Sequence, residues 1–207
     1  MTITAEPVVR MGKRARAKQA NRQAILDAAR TVFARIGYDA ANIRDIIRET
    51  DLASGTFYNY FKSKEEVFEA ISNDSVKRFR PLLQKVREDA QDLESYLYAA
   101  YGAYFNFLAE ENNPAIEAGS PHMSLIGVRI DTPEMQTVSD EIRADLEIVL
   151  DKVGLAHLDL DYLTAAAIGI ARETGDKMLL RRPVDAAGAT EFSAKLMLAG
   201  IEALAKS

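Results

Sequence analysis

The residues best equipped for chemistry lie in one short stretch, "SGTFYNYFKSKEEVF" (54–68). Phe57, Tyr58, Tyr60 and Phe61 crowd together, followed at once by Lys62, Lys64, Glu65 and Glu66. Phe57 and Phe61 are four apart and share one helical face, so they are expected to pack inward with Leu52. Tyr58 and Tyr60 fall off that face. A tyrosine with a sheltered ring and a wet hydroxyl suits a phosphate oxygen. Lys64 falls in the first turn of the next helix, where backbone amides already favour an anion. Tyr58, Tyr60 and Lys64 therefore read as a clamp on a DNA backbone. Ser54, Gly55, Thr56 and Asn59 offer short polar edges and close backbone approach for the major groove. Arg44, ten residues before Ser54, suits a guanine edge or a phosphate.

Other chemistries are poorly supplied. The chain has no cysteine and two histidines, His122 and His157. It has no glycine-rich phosphate loop and no nucleophile motif. The carboxylates of "SDEIRADLEIVLDK" are spaced as a solvated helix face. No catalytic residue, metal site or cofactor is expected, and an enzyme is the disfavoured alternative. A helical adaptor that binds only protein would need neither the clamp nor a basic N-terminal third. No apolar run approaches the ~18 residues of a membrane span. The opening "MTITAEPVVRMGKRARAKQ" has no apolar segment or cleavage site of a secretory signal, so a cytoplasmic location is expected.

Charge is unevenly distributed. The 207-residue chain has net charge −5. Residues up to Lys64 carry +6 (12 basic, 6 acidic), and the remainder −11 (14 basic, 25 acidic). A basic end on an acidic body is the asymmetry of a protein whose one end meets a polyanion.

The elements that must hold the clamp follow from periodicity. Residues 1–18 are expected as a disordered basic tail. Ile25, Ala28, Ala29, Val32, Phe33 and Ile36 mark a first helix, ended by Gly37. Asn42 with Asp45 starts a short second helix. The turn "TDLASGT", where Asp51 is tolerable in a left-handed conformation, leads to a third helix through Tyr60. This is helix-turn-helix spacing. Ser63 with Glu66 caps a fourth helix carrying Val67, Phe68 and Ile71 on one face. Long helices are expected near 91–110, 134–152, 159–180 and 185–205. Pro81, Pro114, Pro121, Pro133 and Pro183 are placed at helix ends. The expected class is all-α: a helix-turn-helix domain (19–66) and a helical body (67–207).

The stretch "IRDIIRETDLASGTFYNYFKSKEEVF", with "ILDAARTVFARIGYDAAN" before it, resembles the DNA-binding signature of the TetR/AcrR regulators over about residues 21–71. The matching positions are Arg44, Asp45, Ile46, Gly55, Thr56, Tyr58, Tyr60, Phe61, Lys64, Glu65 and Glu66. Ile47, Asp51, Ala53 and Ala41 replace the usual alanine, turn glycine, serine and threonine. The resemblance implies an all-helical homodimer whose N-terminal domains bind a palindromic double-stranded DNA operator. It implies a C-terminal domain that binds a small molecule and releases DNA, with repression as the default.

The body must then dimerise and sense. By the resemblance, the last two helices form a four-helix bundle with a partner. Their alanine and glycine content, and the stripe Phe192, Leu196, Met197, Ile201 and Leu204, are compatible with that. In "YLYAAYGAYFNFLAEE" rings occupy more of the helix circumference than core packing needs, which suggests a cavity wall. Tyr101, Phe105, His122, Arg129 and Glu173 are the candidate ligand-binding residues. The segment "ARETGDKMLLRRPVD" resembles regulators of fatty-acid or acyl-CoA metabolism, so a partly hydrophobic effector of that kind is expected. Pro81, in "KRFRPLLQ", is the expected hinge.

Overall fold

The computed structural model describes residues 12–117 and 132–206. Among them the chain forms eight helices and no strand: α1 (Lys13–Ile36), α2 (Ile43–Arg48), α3 (Ser54–Phe57), α4 (Lys64–Asp89), α5 (Leu93–Glu117), α6 (Pro133–Lys152), α7 (Leu160–Leu179) and α8 (Ala186–Leu204). None is long and apolar enough to cross a membrane.

Local signals account for the element boundaries. Gly37 ends α1 with φ +82°, and its amide donates to the Phe33 carbonyl. Asn42 and Asp45 form a reciprocal capping box on α2. The Ser63 hydroxyl accepts from the Glu66 amide and starts α4. Thr132 and Pro133 start α6, and the Asp159 carboxylate caps α7.

Three expectations are corrected. α1 begins at Lys13, so residues 13–18, assigned to the tail, are helical and exposed. No described non-glycine residue has a positive φ, so Asp51 is not left-handed. Instead the Thr50 hydroxyl donates to the Ile47 carbonyl (2.9 Å) and accepts from the Leu52 amide (3.2 Å), closing the turn with a side chain. Pro81 lies inside α4 rather than at its end, and the helical backbone of α5 runs through Pro114. A proline removes one rung of the helix ladder. Around Pro81, tertiary contacts hold α4 together: Arg80 pairs with Glu141 of α6, and Leu83 is fully buried.

Two apolar cores result. Ile25, Val32, Phe33, Ile46, Phe57, Phe61, Val67 and Phe68 belong to the first, which unites α1, α2, α3 and the start of α4 as a headpiece. The second joins the end of α4 to α5, α6, α7 and α8, with Leu97, Phe105, Leu108, Leu146 and Met178 among its members. α4 is thus continuous across the expected boundary at 66/67. In the body, α5 is central and packs against α4, α6, α7 and α8. Gly175 permits the close α5–α7 approach, since a Cβ there would lie 2.7 Å from Leu108 Cδ2.

Candidate nucleic-acid interface and internal cavity

The helix-turn-helix divides its rings as helical spacing requires. Phe57 and Phe61 are 0% and 4% exposed, with ring centroids 6.1 Å apart. Tyr58 is 62% exposed and meets the edge of Phe57 at 5.5 Å. The Phe57 ring supports it on one side, and most of the side chain lies in solvent. Ser54, Gly55 and Asn59 are exposed beside it, and Thr56 and Tyr60 are half-buried. A Cβ added at Gly55 would meet nothing within 4 Å, so no internal contact demands glycine there. Arg44 is exposed in the first turn of α2 and makes no ion pair with the described residues. Arg44 lies on α2 and the other six on or just after α3, two helices in contact with each other.

Lys64 differs from expectation. Its ammonium donates to the carbonyls of Tyr38 (2.8 Å), Ala41 (3.0 Å) and Asp39 (3.5 Å). It also lies 4.3 Å from the Tyr38 ring centroid. In this arrangement the Lys64 ammonium is turned toward the α1–α2 loop and ties it to the start of α4. Tyr38, which sequence reasoning did not single out, completes the tie through its hydroxyl to Glu65 (3.3 Å). Burial, and secondarily the Glu65 charge, push its hydroxyl up to about 12. Its position directly after the helix-ending Gly37 was the available signal. Arg22 adds a second cation, 5.2 Å from the Phe61 ring.

A partly open cavity of about 980 Å³ lies between α1 and the body. Its wall includes Asp27, Arg30 and Ala34 of α1, Ser72 and Phe79 of α4, and Tyr101 and Tyr104 of α5. Ile142 of α6 and Ala167, Ala171 and Arg172 of α7 complete the other side. Of the expected ligand-binding residues, Tyr101 is in the wall, and its hydroxyl donates to the Ala167 carbonyl (3.2 Å). Phe105 is not among the described wall residues. It is fully buried in the core, stacked on Tyr101. Glu173 is exposed and also outside the wall, because the next position back along α7, Arg172, takes the inward direction. His122 and Arg129 lie outside the described residues. Sequence reasoning missed Tyr104 and Phe79 as wall residues, although Tyr104 shares the apolar face of α5 with Tyr101.

Polar ties connect the cavity rim to the headpiece. Arg30 of α1 pairs with Asp74 of α4 (2.8 Å), and Arg78 bridges Asp74 (3.4 Å) and Glu111 of α5. Ser75 donates to the same Glu111 carboxylate (2.9 Å). Farther along α4, Arg87 forms a two-point pair with buried Asp145 of α6, which also accepts from Tyr96 of α5 (3.3 Å). Arg80–Glu141 and Arg87–Asp145 anchor the C-terminal part of α4 in the body.

The last helix is apolar on two sides. Ala194, Met197 and Ile201 point into the core, whereas Phe192, Leu196 and Leu204 are 50–60% exposed. The stripe expected from sequence is therefore split between two faces. On α7, Tyr162 is 77% exposed.

Comparison with known proteins agrees with this geometry. Residues 25–71 match the family model for bacterial regulatory proteins of the tetR family. The HTH-type transcriptional regulator YdgC of Bacillus subtilis is 24% identical over 190 residues, 87% of this chain and 92% of that one. The fatty acid metabolism regulator protein of Bacillus subtilis is 28% identical over 92 residues, 44% of this chain and 47% of that protein. The crystal structure of the regulator FadR from Bacillus subtilis in complex with stearoyl-CoA has the same fold. It gives a TM-score of 0.66 at 20% identity, covering 86% of this chain and 98% of that one. A capped helix-turn-helix on an all-helical body, the family match over that segment and relatives that are themselves transcriptional regulators lead to one conclusion: the chain belongs to the TetR family of bacterial transcriptional regulators.

Proposed function

We propose that the chain is a non-enzymatic, cytoplasmic repressor that binds a palindromic double-stranded DNA operator as a homodimer and is released by a partly hydrophobic effector. The DNA-binding domain is α1 to the start of α4. In it Tyr58 and Tyr60 contact phosphate, Arg44 a guanine edge or phosphate, and Ser54, Gly55, Thr56 and Asn59 the major groove. Lys64 acts through the α1–α2 loop that it ties. The outward apolar residues of α8 and Tyr162 of α7 form the dimer face, which two half-sites about 34–36 Å apart require.

The observation that carries the effector reading is the composition of the cavity wall. It includes α1 of the headpiece as well as α4, α5, α6 and α7 of the body. A guest there touches both units, so it has differential contact with their relative positions. That is the requirement for coupling one site to another. The apolar lining and the FadR relatives support an effector of fatty-acid or acyl-CoA type.

The test is a fluorescence-anisotropy titration with DNA from upstream of the protein's own gene, at two salt concentrations. Wild type is expected to bind tightly and salt-dependently. Folded Tyr58→Ala is expected to bind more weakly, and an acyl-CoA series to release DNA from wild type. Equal DNA affinity with and without a ligand verified as bound would overturn the effector mechanism.

A further inference from the structure

The start of α1 carries Lys13, Arg14, Arg16, Lys18 and Arg22, and the first acidic residue of that helix is Asp27. None of the five cations forms an ion pair with the described residues, and residues 12–20 are all exposed. The headpiece core begins only at Ile25. Lys13 therefore stands about 18 Å along the helix axis from the first core residue.

This segment is charged against its own helix. The N-terminal end of a helix favours acids, yet the first turn of α1 holds none. Arg14, Lys18 and Arg22 recur at four-residue steps on one face, where like charges repel. Alanine and glutamine between them favour helix but add no apolar contact. A polyanion laid along the row relieves both penalties.

The row also has a definite place. Arg22 Cζ lies 5.2 Å from the centroid of the Phe61 ring. Phe61 directly follows Tyr60 and packs against Phe57 of α3. The row thus starts beside the end of α3 and continues for about 12 Å to Arg14, the length of three to four base-pair steps. A lipid surface is the other extended polyanion. Between Lys13 and Ala24 no apolar side chain is larger than alanine, so this face has nothing to bury in a bilayer.

We propose that the basic side chains of the first turns of α1 form a second, sequence-independent DNA contact, laid on the phosphates that flank the segment met by α3. This rests on the proposed operator binding and extends it beyond the groove-reading residues.

The experiment compares wild type with the full-length variant Lys13→Gln/Arg14→Gln/Arg16→Gln/Lys18→Gln. Both are titrated against upstream DNA and against a duplex of unrelated sequence, over a range of salt. In the variant, the slope of log affinity against log salt is expected to flatten by about 2 or more per chain. Affinity for both duplexes is expected to fall by the same factor, about tenfold or more, because phosphate contacts carry no sequence information. The thermal melt should be unchanged or raised, since repulsion is removed. Lys85→Gln/Lys152→Gln/Lys177→Gln, which removes exposed charge from the body, should leave the slope as in wild type. A wild-type slope in the α1 variant, or the same flattening in the body variant, would overturn the inference while leaving operator binding by α3 intact. Vesicles containing phosphatidylserine that bind wild type more tightly than either duplex would overturn it in favour of a membrane. Wild type that binds neither duplex would remove both this inference and the operator reading.

Discussion

The headpiece and the body are both helical and both apolar inside, yet they are packed for opposite purposes. In the headpiece, Ile25, Ala29, Val32, Ile46, Phe57 and Val67 reach 0% exposure in one continuous core, and its polar ends are tied by caps and by Lys64. The body, together with one side of α1, instead lines about 980 Å³ of open space. A dense core fixes the geometry of the surface it supports. A hollow one gives up contact energy and gains the ability to respond to a guest. On the proposed function, rigidity is placed where groove geometry is held, and open space where the effector enters.

Four measurements test this contrast. Phe57→Ala should have the largest effect. Deleting a fully buried phenyl ring costs about 3–5 kcal/mol. Urea denaturation should show the headpiece destabilised by that amount and DNA binding lost. Next comes a matched pair of enlargements. Ala29→Leu enters the dense core, where Ala29 is 0% exposed, and should cost about 1–3 kcal/mol. Ala171→Leu points into the cavity and should be neutral or stabilising by up to about 1 kcal/mol, while abolishing ligand binding. Thermal melts of the two variants with shifts of the same sign would erase the distinction.

Lys64→Met follows. It should cost about 1–2 kcal/mol by leaving the loop carbonyls without their donor. Its plot of log affinity against log salt should keep the wild-type slope, whereas that of Arg44→Ala should flatten by about 1 if Arg44 meets a phosphate. Loss of slope in Lys64→Met would restore lysine to the DNA contact. The smallest effect concerns Tyr38. Folding raises its hydroxyl from about 10 to about 12, mainly through burial. Between those values the native state retains a proton that the unfolded chain has released. Its contribution is therefore full below about pH 10 and is lost as pH rises through about 12. Tyr38→Phe should remove that component from a stability titration followed by tyrosinate absorbance.

The headpiece was readable because its signals are local. Asn42 with Asp45, Ser63 with Glu66, and the four-residue step from Phe57 to Phe61 each specify a contact within one turn of chain. The Asp51 turn misled because glycine is only one way to close it, and the hydroxyl of Thr50 is another. The loop contacts of Lys64 were hidden because its partners, 23 to 26 residues earlier in sequence, become neighbours only after folding. In the body, periodicity located the helices but left their rotation open. Glu173 and Arg172 are adjacent on one helix, and helix packing alone decides which of them meets the cavity. The split of the α8 stripe into inward Met197 and Ile201 and outward Phe192 and Leu196 has the same origin.

Pro81 turns this arrangement into a matter of leverage. Its missing amide leaves the Lys77 carbonyl without its ordinary partner within α4. Beyond it, Arg87 holds the short arm of the helix against Asp145. The long arm, from Pro81 back to Ser63, is about 25 Å at the helical rise per residue. A tilt of only about 5° at the proline would carry the headpiece end through about 2 Å, more than half of the ~3.4 Å step between stacked base pairs. In the proposed homodimer the same small angular change on both sides would shift the two copies of α3 relative to each other by more than one base-pair step.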